Sequence, residues 1–313
     1  MSSSQYSDLA DRVEEAVRAY VIAKMPPDPS AELAGKPFRE LRHIYGNWRG
    51  RHPYPRPRTV HQSKEMLASA EAQTFSVEVA ELVRKIKAGE DLTPHLSERV
   101  DTAFLSVQER AALPAREREK DLDRMLADYG IHHLHLSHQL KRNGFVQRGR
   151  ELLFAVFGRD DAYLVGIYTH ADWLRDELAP IIIRNWSGVG PFYKLDYAQG
   201  PTSAPTEDER KRYRKVGVSS DFVEVDGEWY GVLGQTAAGM PSPQTQPIMA
   251  LGEELRRLRE DPDRQLAQFA AALDAKAGHH VTGDWSPYVE DDVLELLRGG
   301  DALVQLGVLP GET

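Results

Sequence analysis

Gly130-Ile-His-His-Leu-His-Leu-Ser-His138 is the stretch on which the reading of this chain turns. Ile131–Leu136 is short, rich in β-formers and bounded by turn material at Gly130, so it predicts a β-strand. A strand's period of two puts His133 and His135 on one face with Ile131, and sends His132 to the other. Two more strands follow, Glu151–Phe157 and Ala162–Thr169, and the polar Gly158–Asp161 closes a hairpin between them. By the same period Leu164, Gly166, Tyr168 and His170 share a face, which lets His170 approach His133 and His135.

Further along the chain, Phe222–Val225 and Glu228–Leu233 flank Asp226-Gly227, the strongest short hairpin signal in the chain. The expected fold class is therefore α+β: a small antiparallel sheet of about five strands flanked by N-terminal and C-terminal helices. The organisation expected is a mainly helical region over 1–129, a sheet core over 130–235 and a C-terminal helical region over 236–313. Within the first, helices are predicted behind Ser7 up to Met25–Pro29, over Ser30–Tyr45, over Gln62–Lys87 and over Arg116–Ala127. Asp172–Trp186 returns to helical periodicity, with Pro180 starting, kinking or dividing it. Near the end, helices are predicted over Ile248–Arg259, Asp263–Lys276 and Val289–Leu297.

The chain has 313 residues, 41% hydrophobic and 28% charged, enough for one large domain or two modest ones. No apolar run reaches the roughly 18–20 residues of a membrane helix, and the N-terminus has neither the basic nor the apolar region of a secretory signal. A cytoplasmic protein with no membrane partner is expected. Cysteine is absent, which removes disulfides and thiol chemistry and leaves His, Asp and Glu as the strong metal ligands. A net charge of −9 argues against a uniformly basic nucleic-acid binder.

Several imidazoles in one pocket can act as general base and acid, because their ordinary pKa lies near neutrality. Arg142, Arg148 and Arg150 lie close in sequence and suit an anionic phosphate. Two histidines one residue apart on a strand also suit a divalent metal, with His170 or Asp172 completing the set. His133-Leu-His135-Leu-Ser-His138 resembles the HxHxDH motif of metallo-β-lactamase-fold hydrolases, but Ser137 stands in the place of the family's aspartate and the glycines that follow it there are missing. A metal-dependent hydrolase is thus a third-ranked expectation, and no metal or cofactor is assigned.

Arg150-Glu-Leu-Leu-Phe-Ala-Val-Phe157 paired with Ala162-Tyr-Leu-Val-Gly-Ile-Tyr-Thr-His170, behind a strand and a basic turn, resembles the core of RelE/ParE-type ribonuclease toxins. The resemblance covers about residues 130–173. It implies a nucleic-acid-acting protein of bacterial toxin or defence type, most concretely a metal-independent endoribonuclease. His133 or His135 would be the base, Arg148 or Arg150 the cation on the phosphorane, and Tyr168 or His170 the acid. The alternative is a noncatalytic binding protein, with a protein partner, whose histidines are structural.

Gly46–Thr59 is rich in proline and arginine. Arg42, Trp48, Arg49, Arg51, Arg56 and Arg58 suit phosphates and stacked bases of RNA or another single-stranded nucleic acid, or else pair with the surplus carboxylates. Gly234–Gln244 lacks the Walker pattern and reads as a connecting loop. His279-His280 with Asp284 reads as a turn, and Trp173 and Trp186 read as core.

Overall fold

Glu151-Leu-Leu-Phe-Ala-Val-Phe157 is apolar at every interior position, as a strand covered on both faces requires. In the computed structural model Leu152 to Val156 are all buried. The structure describes residues 4–26, 32–101, 105, 107–114, 123–170, 172, 175, 177–195, 206, 208–209, 212, 222–233, 242–290, 292–299 and 302–308. Residues 51–103 and 114–243 form one compact unit, and residues 1–50, 104–113 and 244–312 another. The segment expected as one helical front, 1–129, is therefore divided between them.

The first unit is built on a four-stranded sheet of β1 (Thr59–Gln62), β2 (Ile131–His135), β3 (Glu151–Phe157) and β4 (Asp161–Thr169), in the order β1-β4-β3-β2. β1 runs parallel to β4 and the other neighbours are antiparallel. One face packs Leu134, Leu153 and Leu164 against Met66, Val79, Leu82 and Ile86 from the helices Lys64–Ala68 and Ser76–Ala88. The other packs Ile131, Phe154, Val156 and Val165 against Leu178, Ile181 and Ile182 of the helix Leu178–Asn185. β1 lies where a proline-rich segment meets an expected long helix. That helix, predicted over Gln62–Lys87, is divided by Ser69 in extended conformation and by Phe75, and ends at Gly89 with φ 72°.

The single five-stranded sheet is corrected here. β5 (Phe192–Lys194), β6 (Phe222–Val225) and β7 (Glu228–Val232) form a separate three-stranded sheet in the order β5-β7-β6. Its hairpin turns on Asp226 (φ 54°) and Gly227 (φ 82°), the two left-handed residues a tight two-residue turn needs.

Within the sheet of β1–β4, the register of β4 against β3 slips by one. Phe154 pairs with Gly166 but Ala155 pairs with Leu164, which leaves Val165 as the extra residue of a β-bulge. The slip reverses the parity of β4. Ala162 and Leu164 face the Met66–Ile86 side, and beyond the bulge Ile167 takes that side while Tyr168 joins Phe154 on the other. The expectation that Leu164 shares a face with Tyr168 and His170 therefore fails. Ser63, fully buried, holds the bulge: its Oγ donates to Val165 O at 2.8 Å and accepts from Met66 N at 2.9 Å.

In the second unit the N-terminal helix Ser4–Lys24 and the helix Phe38–Arg49 share a core with Leu251, Leu255 and Leu258 of the helix Ser242–Glu260. The helix expected at Val289–Leu297 is instead part of an antiparallel sheet of β8 (Trp285–Glu290), β9 (Val293–Arg298) and β10 (Ala302–Val308). Leu294 and Leu296 alternate into the core, and Asp292 turns the chain at φ 65°. Its buried carboxylate accepts from Tyr20 Oη, Tyr45 Oη and Arg49 Nε, a tertiary anchor that local periodicity does not report. Among the described residues no helix is long and apolar enough to cross a membrane.

Ser63→Ala removes a donor to the bulge and a helix cap together, and should cost about 2 kcal/mol by urea unfolding. Ser69→Ala removes a comparable cap on Ala72 N, at 3.0 Å, away from the bulge. It should cost about 1 kcal/mol and leave the His170 ring resonances unmoved, whereas Ser63→Ala shifts them. Equal effects of the two variants on His170 would contradict the role given to Ser63.

Candidate active site

β2 is an edge strand, and its odd residues face the side on which Ile131 is buried. His135 pairs with Leu152 and through it with Tyr168; His133 pairs with Phe154 and through it with Gly166. With the parity of β4 reversed, His170 emerges just beyond Thr169 on the same side. The three rings converge: centroids lie 6.5 Å apart for His133 and His135, 5.6 Å for His133 and His170, and 5.6 Å for His135 and His170. His132 faces the opposite side, its ring edge-on to Phe157 at 5.4 Å. His138 is exposed, 3.9 Å from Glu78.

Each member of the trio has a different setting. His133 Nδ1 lies 3.7 Å from Asp123 Oδ2. Asp123 caps the helix Arg124–Tyr129, accepting from Leu126 N at 3.1 Å. His135 is only 3% exposed. Among the described residues Nδ1 of both His133 and His135 is buried without a hydrogen-bond partner, a costly arrangement. His170 is exposed, and Arg148 Nη2 approaches its Nε2 at 3.3 Å. A guanidinium can only donate, so that nitrogen accepts and the ring is neutral.

The electrostatics agree. Burial first, then His133, His170, Arg148 and Lys141, push the His135 imidazole down to about 3. Partial burial of the ring, followed by His133 and Arg148, holds His170 below the ordinary histidine range against the opposing pull of Asp123. At neutral pH both rings are uncharged, because further positive charge in this crowd is unfavourable.

Behind the trio, His95 Nδ1–H donates to the carbonyl of His135 at 3.0 Å, and Lys85 Nζ donates to His95 Nε2 at 2.9 Å. This pair pins the free edge of β2 at the residue that carries the buried ring. Asp123, His95 and Lys85 escaped sequence reasoning. Asp123 was expected inside a helix over Arg116–Ala127, of which residues 116–122 lie outside the described residues. A cap aspartate seven residues ahead of a left-handed Gly130 was the available signal.

Other candidates separate from the trio. Tyr168 tilts against Phe154 at 4.9 Å with Arg175 over its ring at 5.8 Å, and burial pushes its hydroxyl pKa up. Arg150 and Arg142 are exposed. Asp172 is occupied by Thr169 N and Oγ1 and by Arg175 Nε, which withdraws it from any metal set. Among the described residues no group of three or more His, Asp or Glu is arranged to hold a metal ion. Gly234–Pro241 and Trp173 lie outside the described residues.

Of the arginine-rich segment read as a nucleic-acid surface, Arg42, Trp48 and Arg56 are half-buried and the other three arginines lie deeper. Arg49, Arg51 and Arg58 are 6%, 5% and 7% exposed, too deep to meet phosphates. Arg49 pairs with Asp292 in the second unit, and Arg58 donates to the carbonyls of Gly158 and Tyr54 in the first. Arg42 donates to Ile248 O and lies over Phe38; Trp48 tilts against Tyr45; Arg56 lies over Tyr54. These contacts hold the side chains against the protein, with proline-stiffened backbone between them. His280 likewise pairs with Asp274 in a turn after Gly278.

His135 gives a pH signature. Its folded pKa lies below the unfolded value of about 6.5, so the folded state binds fewer protons. Its stability is full above that pH and is lost as pH falls toward 3. His135→Gln should remove up to about 1.4 kcal/mol per pH unit from the acid-side slope of urea-unfolding free energy. Parallel curves for variant and wild type would contradict a buried neutral ring. Compared with family models, curated proteins and solved structures, the chain finds no match.

Proposed function

We propose that the protein is a metal-independent endoribonuclease whose acid–base groups are His133, His135 and His170. The observation that supports this reading is the convergence of three imidazoles, carried by β2 and the end of β4, beside the Arg148 guanidinium. Among the expected roles, His133 suits the base, since Asp123 behind Nδ1 stabilises the imidazolium formed when the ring takes a proton. Arg148 suits the cation that holds the phosphate and balances the charge of the phosphorane. His170, exposed beside it, suits the acid. His135, buried and neutral, offers a fixed hydrogen bond.

The reaction needs nothing beyond the RNA. The base removes the 2′-hydroxyl proton, the 2′-oxygen attacks the adjacent phosphorus, and the bond from phosphorus to the 5′-oxygen breaks as the acid protonates that oxygen. The products are a 2′,3′-cyclic phosphate and a free 5′-hydroxyl. A substrate lacking the 2′-hydroxyl has no nucleophile. A toxin or defence role remains part of this proposal and rests on the hairpin resemblance.

Labelled single-stranded RNA should be cut by the protein in excess EDTA and leave 2′,3′-cyclic ends, with DNA of the same sequence intact. His133→Ala and His170→Ala should each lower the rate by about 10²-fold or more, while Arg150→Ala changes it little. RNA left intact by the wild type with and without divalent metals would overturn the reading.

A further inference from the structure

Arg148 and His170 are joined in a way that a phosphate would undo. One guanidinium N–H points at His170 Nε2 from 3.3 Å, which is the nitrogen a general acid at this position would use. A phosphate oxygen is a stronger, charged acceptor for the same N–H. We propose that the trio is a proton-coupled seat for a phosphate ester, in which the anion takes Arg148 from His170 and His170 Nε2 takes up a proton from solvent. The inference rests on reading His170 as the acid, and says how that acid is loaded.

The balance of groups around the seat supports it. His133 and His135 face the site from β2, His170 from the end of β4, and Arg148 from the loop before β3. Lys141, on that same loop, and Arg99 add positive charge, felt by His135 and His170 respectively. Lys141 is itself paired with Glu98. Asp123 is the carboxylate that favours a charged His170. Without an anion, a proton on His170 would meet Arg148 directly. With one between them, the same proton and the same guanidinium both face negative charge. The empty site would then stay neutral, and the acid would arm only on phosphate.

Sulfate tests this, because it neither titrates between pH 6 and 8 nor can be cleaved. Calorimetry of the full chain in two buffers of different ionisation heat should show about one proton taken up per sulfate bound at pH 7. The affinity should rise about tenfold for each pH unit lowered between 8 and 6. Arg148→Gln should weaken binding at least tenfold, and His170→Asn should bind sulfate with no proton uptake. Absence of sulfate binding, uptake near zero in the wild type, or unchanged uptake in His170→Asn would each overturn the proposal. RNA cleavage with uncoupled sulfate binding would defeat the loading step alone; coupled binding with intact RNA would defeat the nuclease reading alone.

Discussion

The hydrogen bond from Ser63 Oγ to Val165 O is the contact on which the candidate site depends. It satisfies the carbonyl that the bulge withdraws from the β3–β4 ladder, inside a fully buried setting where an unpaired carbonyl would cost about 1–3 kcal/mol. Every residue of β4 beyond that point changes face. Without the extra residue, the parity that places Leu164 beside Leu153 would carry Tyr168 and His170 to the same side, away from His133 and His135. Gly166 belongs to the same device: a Cβ there would sit 2.7 Å from the Tyr168 ring, which leans back over it toward Phe154.

Once the rings are together, charge decides their state. Three imidazoles and a guanidinium within a few ångströms repel any added proton, and burial at His135 acts in the same direction. Asp123 acts the other way, and it is placed by a short helix that ends at Gly130, immediately before β2. One segment of chain thus carries the counter-charge and two of the three histidines. The His95–Lys85 pair secures the outer edge of that segment, where no neighbouring strand lies among the described residues.

What the sequence made legible was local. The period of two placed His133 and His135 together and His132 apart, and turn residues marked the hairpins at Gly158–Asp161 and Asp226-Gly227. Less legible was whatever depends on distant partners. The bulge needs Ser63, about a hundred residues away, and no pattern within Ala162–Thr169 announces it. β1 pairs in parallel with β4 and so has no hairpin signal. At Val289–Leu297 the apolar spacing also fits a helix, and the strands there depend on Arg49 and two tyrosines meeting Asp292. The arginines of Gly46–Thr59 read as a surface because composition reports charge and not depth.

Three imidazoles share one face, and the innermost is neutral well below the ordinary histidine range. Long-range ¹⁵N–¹H spectra of the histidine rings, recorded with ring-to-ring NOEs from pH 7 to pH 4, measure both at once. The account predicts cross-relaxation linking His133, His135 and His170, with a neutral tautomer pattern for His135 persisting to pH 4. An imidazolium pattern for His135 appearing near pH 6.5, with no contacts between the rings, would contradict it.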